Sequence, residues 1–405
     1  MKRLLLYTML FTVCAVMLPS CSDSDDGDSG NGDKDYTETV KSVLPTKTNN
    51  MNVYVHFMPW FETSSSSLDG KWGWHWIMNT SIDPSTGDVA SHYHPLTGPY
   101  ASGDETILKY QCLLMKYSGV DGVMVDWYGS DADNTTARHT SNTEALFSII
   151  EKTDLKMAIV YEDQTLSKVS DPVAKGREDM RYLATHFFQS DNYAKVRGKP
   201  LLLVFGPQAV KTPKLLFRIF QALTDRPAFV VLNGHSSLVN DESYSNSMGE
   251  YLWVNASSDS WYRWAKGNFD FVIGGAMPGF KDYYKEGNAG DGYASYDDEG
   301  GSLFDRQLRA AGDAGLQWLQ VSTWNDYGEG TIIEPTAEFG YRYLSKLQAF
   351  TGVGYKESDL QLIYRWYTLM VKHASDSSAL KTLDECFNLL NTLQPDKASQ
   401  LMDNL

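Results

Sequence analysis

From residue 53 to residue 326 the chain alternates between short apolar runs and stretches of helical period, and this alternation constrains the fold more than any other feature. The strand-like runs cover 53–60, 119–129, 155–164, 199–207, 228–235, 249–257, 269–279 and 316–326. Helical period is clearest between them at 105–119, 143–153, 179–190 and 301–315. In the last run Leu316, Trp318, Leu319 and Val321 put apolar groups on both faces, as a strand covered from two sides requires. Eight such units with mostly helical connections predict an α/β protein, a closed (β/α)8 TIM barrel over residues 49–352. The connections around the sixth run are short, so small helices are expected there. Two amphipathic stretches, 357–373 and 377–404, predict a short helical extension over 353–405 that packs on the barrel.

The first 48 residues do not fit that alternation. Lys2 and Arg3 precede an apolar run at 4–18 that is too short and wrongly flanked to span a membrane, so residues 1–21 read as a signal segment. Its ending, Leu18-Pro19-Ser20-Cys21, resembles a bacterial lipoprotein signal, which implies lipidation at Cys21. Residues 22–35 carry six Asp, one Lys and no apolar residue, and 22–48 are expected to form an acidic disordered tether. An acidic stretch after such a cysteine also resembles the export signal of surface lipoproteins in Bacteroides-like bacteria. The resemblance implies an outer-membrane lipoprotein at the cell surface.

A net charge of -16 argues against nucleic acid as a partner, because phosphate binding depends on clustered Lys and Arg. Past the signal, only Cys112 and Cys386 remain, too few for a disulfide framework. His56, His75, His92 and His94 fall close together but have no spaced carboxylate or cysteine beside them, so no metal and no cofactor is expected. The chain is expected to act as a monomer.

A parallel barrel concentrates its chemistry at the carboxyl ends of its strands, and polar and aromatic residues gather where the runs stop. The first run ends at His56 and Trp60, the second at Asp126, Trp127 and Tyr128, and the third at Tyr161, Glu162 and Asp163. The fifth offers Asn233 and His235, and the sixth Trp253 and Asn255. The eighth ends in Trp324, Asn325, Asp326, Tyr327 and Glu329, with Glu334 following. Two carboxylates three residues apart, in a loop loosened by Gly328 and Gly330, fit hydrolysis of a glycosidic bond: one acid, one base or nucleophile, and an aromatic face for the sugar. Trp72, His75 and Trp76 after the first strand, and Trp261 and Trp264 after the sixth, are expected to wall an elongated cleft.

The segments VHFMPWF (55–61), 98–129, AMPGFKD (276–282) and TWNDYGEGTIIEP (323–335) carry a family resemblance. They resemble glycoside hydrolases of the family 99 and family 71 type, barrel enzymes acting on α-mannans and α-1,3-glucans, over roughly residues 50–350. In the endo-α-mannosidase family the last loop reads Glu-Trp-His-Glu-Gly, and Asp326, Tyr327, Gly328, Glu329 and Gly330 stand in those places. The resemblance therefore implies that Asp326 deprotonates the sugar 2-hydroxyl, that Glu329 is the acid/base, and that Glu162 is an active-site glutamate. Asp326 is one methylene shorter than the family residue, and Gly328 replaces the histidine. The wording WNDYGE is closer to the α-1,3-glucanases, and both families stay open.

The catalytic set is thus Asp326, Glu329 and Glu162. The substrate-binding set is Asp126, His56, Trp60, His75, Trp76, Trp127, Tyr128, Trp253, Asn325, Tyr327 and Glu334. The expected partner is a polysaccharide or glycan, cut within its chains. The alternative is a surface lipoprotein that holds glycan without cutting it, which paired carboxylates at strand ends disfavour.

Overall fold

The computed structural model describes residues 41–134, 137–255 and 258–405. The signal, Cys21 and most of the expected tether lie outside the described residues. Each of the eight apolar runs supplies one barrel strand. These are β1 (Asn52–Phe57), β2 (Gly122–Trp127), β3 (Lys156–Tyr161), β4 (Lys199–Val204), β5 (Ala228–Leu232), β6 (Gly249–Tyr251), β7 (Phe271–Ala276) and β8 (Trp318–Val321). Every neighbour pairs in parallel, and β1 pairs with both β2 and β8, so the sheet closes on itself. A two-residue strand, Lys195–Val196, folds back antiparallel on β4.

Alternation along the strands sorts the side chains into two packed layers. Tyr54, Met124, Val160, Leu203, Val230, Tyr251 and Ile273 fill the barrel interior. Val55, Val125, Ile159, Val204, Val231 and Leu319 face outward to the helices. At the amino-terminal end Trp318 stacks on Tyr54 with ring centroids 4.9 Å apart, closing the floor. The close approach of strands needs glycine at two places. A Cβ on Gly122 would lie 2.2 Å from the Lys156 carbonyl oxygen, and one on Gly249 only 1.6 Å from that of Phe271.

The outer ring comprises α1 (Glu105–Tyr117), α2 (His139–Thr153), α3 (Pro172–His186), α4 (Pro213–Phe220), α5 (Asp259–Asn268), α6 (Ser302–Asp313) and α7 (Arg342–Thr351). Between β5 and β6 there is only one helical turn, Ser236–Val239. The carboxy-terminal extension forms α8 (Glu357–Lys372), α9 (Ser377–Asn391) and α10 (Pro395–Met402). The stretch 377–404, expected as one helix, breaks in two because Pro395 cannot continue a helix and Leu393 turns at φ 60°.

The expected tether runs too far into the chain. Residues 41–48 are tied to the domain by Lys47 Nζ, which donates to the Met51 carbonyl at 2.9 Å and to Asp121 at 2.5 Å, and by Thr48 N, which donates to the Thr351 carbonyl at 3.1 Å. Beside them Lys116 is fully buried and donates to Ser42, Thr153 and Asn391, joining the amino-terminal strap, α1, α2 and α9 at one point.

Candidate active site

Asp126 and Glu162 enter the barrel mouth from adjacent strands. Asp126 pairs in register with Val160, so Glu162, two residues further along, points to the same side. Both are buried, and their carboxyls lie within hydrogen-bonding reach of one another. Such a pair needs a shared proton at neutral pH, because two buried carboxylates in contact cannot both stay charged. Burial raises both groups above the ordinary carboxylate range, and the Glu162 charge raises Asp126 further. Tyr128 bonds Asp126, while Gln164 Nε2 and Gln208 Nε2 donate to Glu162 Oε2 at 3.0 and 3.3 Å.

Across the mouth, the loop after β8 is held by its own polar groups. Asn325 Oδ1 accepts from Met58 N at 2.8 Å and its Nδ2 donates to the Met58 carbonyl at 3.1 Å, pinning the loop to the segment after β1. Thr323 Oγ1 accepts from Asp326 N at 2.8 Å, and Asp326 Oδ1 accepts from Glu329 N at 3.1 Å. Gly330, at φ 67°, donates to the Asp326 carbonyl and completes the turn. The turn brings Asp326 and Glu329 together. Burial raises Asp326, offset by the Glu329 and Gly328 amides, and burial together with the Asp326 charge raises Glu329. Glu329 Oε1 accepts from Tyr284 at 3.3 Å, and its Oε2 is buried with no partner among the described residues.

Several residues expected to bind substrate are placed elsewhere. Asn325 is fully buried and spent on the Met58 backbone. Glu334 accepts from the Tyr100 and Tyr327 hydroxyls, both at 2.8 Å, and from Gln111 at 2.6 Å, so Tyr327 and Glu334 form a closed network under the loop. Burial pushes Glu334 up to about 7. Trp76 is fully buried, donates from Nε1 to the Tyr100 carbonyl at 2.8 Å, and packs on Phe61 at 4.2 Å, leaving no face for a sugar. Trp127 is turned outward by strand alternation, against Tyr161 and Tyr182 in the helical layer. Trp264, half exposed on α5, lies edge-on to Phe269 just before β7, at the end of the barrel opposite the carboxyls. Trp261 is packed against the outer layer. Trp261 and Trp264 therefore do not wall the cleft.

On the β1 side, His75 stacks flat on Trp60 with centroids 4.0 Å apart, so one indole face is already covered. The half-buried His75 and not Trp60 is the outer surface of that pair. Burial depresses His56 to about 3 and His139 to about 4, so both imidazoles are neutral at physiological pH. His56 sits edge-on to the half-buried Trp253 at 4.5 Å. A cavity of about 350 Å³ lined by Tyr128, His139, Thr165 and Lys168 adjoins the Asp126 side. A larger one, about 650 Å³, opens beside Glu62, Arg138 and Tyr367, away from the carboxyls. Among the described residues no group of three or more His, Cys, Asp or Glu is arranged to hold a metal ion, and Cys112 and Cys386 are buried free thiols.

Sequence reasoning passed over Tyr251 and Tyr284. Tyr251 faces inward near Asp126 and Glu162 and donates to the Val204 carbonyl at 3.0 Å. Inward alternation of Gly249, Tyr251 and Trp253 could have found it.

The structure of the GH99 endo-alpha-mannosidase from Bacteroides thetaiotaomicron aligns over 75% of this chain and 97% of its own, at 19% identity and a TM-score of 0.58. A structure of the same description in complex with bis-tris-propane aligns over 78% and 99%, at 20% identity and 0.58. This chain shares that barrel fold. A glycoside hydrolase-like protein aligns over 77% and 97%, at 14% identity and a TM-score of 0.55. No family model matches the sequence, and no curated protein does.

Proposed function

We propose that this chain is a glycoside hydrolase that cleaves α-linked glycan, an α-mannan or an α-1,3-glucan, within its chains. The observation that carries the reading is the pair formed by the buried Asp326 and the half-buried Glu329, two carboxyls in one turn at the mouth of a barrel. Their surroundings give them different roles. Asp326 accepts two backbone N–H bonds that favour its ionised form, whereas the Glu329 carboxyl faces that charge with a single hydroxyl donor. Asp326 thus ionises first and Glu329 keeps its proton, the division that acid and base need. Glu329 protonates the departing glycosidic oxygen. Asp326 accepts a proton on the attacking side or steadies the positive charge that develops on the ring. Asp126, Glu162 and Tyr128 face the pair and hold sugar hydroxyls.

Cleavage within chains is supported by the cavity beside Tyr128 and His139, which leaves room for further sugars past Asp126. The alignment with an endo-alpha-mannosidase supports it too. Incubation of the purified protein with α-mannan, α-1,3-glucan and mannose-rich N-glycans should release oligosaccharides of mixed length from one of them in the first minutes. Monosaccharide alone would rule out internal cleavage, and no product from any of the three would remove the hydrolase reading.

The same proposal places the enzyme at the outer surface of a bacterial cell, anchored through Cys21. The Leu-Pro-Ser-Cys ending of the apolar run supports it. Cys21→Ser should move the protein from the membrane fraction to the soluble one, and a variant that stays with the membrane would sink the anchor.

A further inference from the structure

The loop between β7 and α6 runs antiparallel along the β8 turn. Lys281 N donates to the Glu329 carbonyl at 3.0 Å and Tyr283 N to the Gly328 carbonyl at 2.9 Å. Behind this contact Phe280 and Tyr296 exchange backbone bonds of 2.9 and 2.8 Å. The Asp282 carboxylate accepts from Tyr284 N at 3.0 Å and from Tyr293 N at 2.7 Å, fixing the backbone at the point where Tyr284 leaves it. The fit is close: a Cβ on Gly330 would stand 2.5 Å from the Lys281 carbonyl oxygen. On this frame the Tyr284 hydroxyl reaches Glu329 Oε1 at 3.3 Å, leaving Oε2 as the carboxyl oxygen without a partner among the described residues.

We propose that Tyr284 is the positioning residue of Glu329: its hydroxyl holds Oε1, so that the transferable proton is carried on Oε2. The proposal rests on the reading of Glu329 as the acid. When the Oε2–H bond breaks, the proton passes to the departing glycosidic oxygen and its electron pair stays on the carboxylate. The Tyr284 hydrogen bond then points at an ionised acceptor and strengthens as the charge develops. Tyr284 therefore acts on the step in which Glu329 loses its proton, not on the binding of sugar. Three titratable groups face the Glu329 carboxyl: Asp326 from its own turn, and Asp282 and Tyr284 from the β7 loop. The two aspartates oppose ionisation and only the tyrosine favours it.

Tyr284→Phe removes that hydroxyl and keeps the ring. In protein labelled with carboxyl-¹³C glutamate, the Glu329 signal is identified by its loss in Glu329→Gln. In Tyr284→Phe its titration should move upward by roughly half to one pH unit, the size of a weak bond to a charged acceptor. On whichever polymer the enzyme cuts, kcat should fall roughly 10-fold, KM should stay within about twofold, and the alkaline limb of the pH profile should move upward. A Glu329 titration identical in wild type and Tyr284→Phe overturns the proposal, whatever the rates do. Full activity in Glu329→Gln overturns the reading of Glu329 as the acid instead, while the titration still judges the hydrogen bond.

Discussion

Glu329→Gln is expected to lower kcat by about 10²–10⁴-fold, the contribution of a positioned acid, and to leave the fold intact. Glutamine keeps the volume of the side chain and an oxygen that accepts from Tyr284, so the turn from Asp326 to Gly330 has no reason to rearrange. Initial rates on a cleaved polymer, taken beside a thermal melt, check both halves of the expectation. Unchanged rates would sink the assignment.

The same variant carries a sign in its stability. The folded-state pKa of Glu329 is raised by burial and by Asp326 above its unfolded value. Between those two values the folded chain binds more protons than the unfolded one, so Glu329 contributes stability below the window and loses it as pH rises through it. Glutamine cannot ionise. Its melting temperature should therefore gain on wild type as pH increases from about 4 to 8, the opposite of what loss of a structural salt bridge would produce.

The barrel was legible in the sequence because its strands are buried on both faces and its connections are mostly helical, two patterns that survive without knowledge of contacts. The gathering of carboxyls at the barrel mouth was legible where each sits just past a strand end. Which side chain faces the mouth was less so. Trp127 follows Asp126 directly, yet alternation sends one into the helical layer and the other into the barrel. Asn325, Tyr327, Glu334 and Trp76 stand beside Asp326 and Glu329 in sequence or in type, but an irregular buried turn must satisfy its own backbone and hydroxyl groups. Tyr327 and Glu334 satisfy one another beneath that turn, Asn325 ties it to the Met58 backbone, and Trp76 caps the Tyr100 carbonyl. Tyr284 shows the converse, since its loop has no period and its contact with Glu329 exists only once β7 and β8 are side by side. Residues 41–48 lie between the acidic stretch and the first strand-like run and have no period of their own, and one ion pair between Lys47 and Asp121 is part of what sets them on the domain.

Changing Asp126 or Glu162 should separate binding from chemistry. If the pair holds sugar hydroxyls, Asp126→Ala and Glu162→Ala should each raise KM by roughly 5–150-fold, the loss of one hydrogen bond to a charged or shared-proton group, with a smaller effect on kcat. The shared proton makes a further distinction. Asparagine at 126 can still donate to Glu162, whereas alanine removes that partner and leaves Glu162 with the Gln164 and Gln208 amides as its hydrogen-bond donors. Asp126→Asn should therefore be the milder of the two, and Asp126→Ala should show the larger shift in the acid limb of its pH profile. Steady-state kinetics across pH on the three variants decide the matter. Should Glu162→Ala abolish kcat as completely as Glu329→Gln, the working pair lies on β3 and β8 together, and Asp326 passes to the role of orienting the sugar.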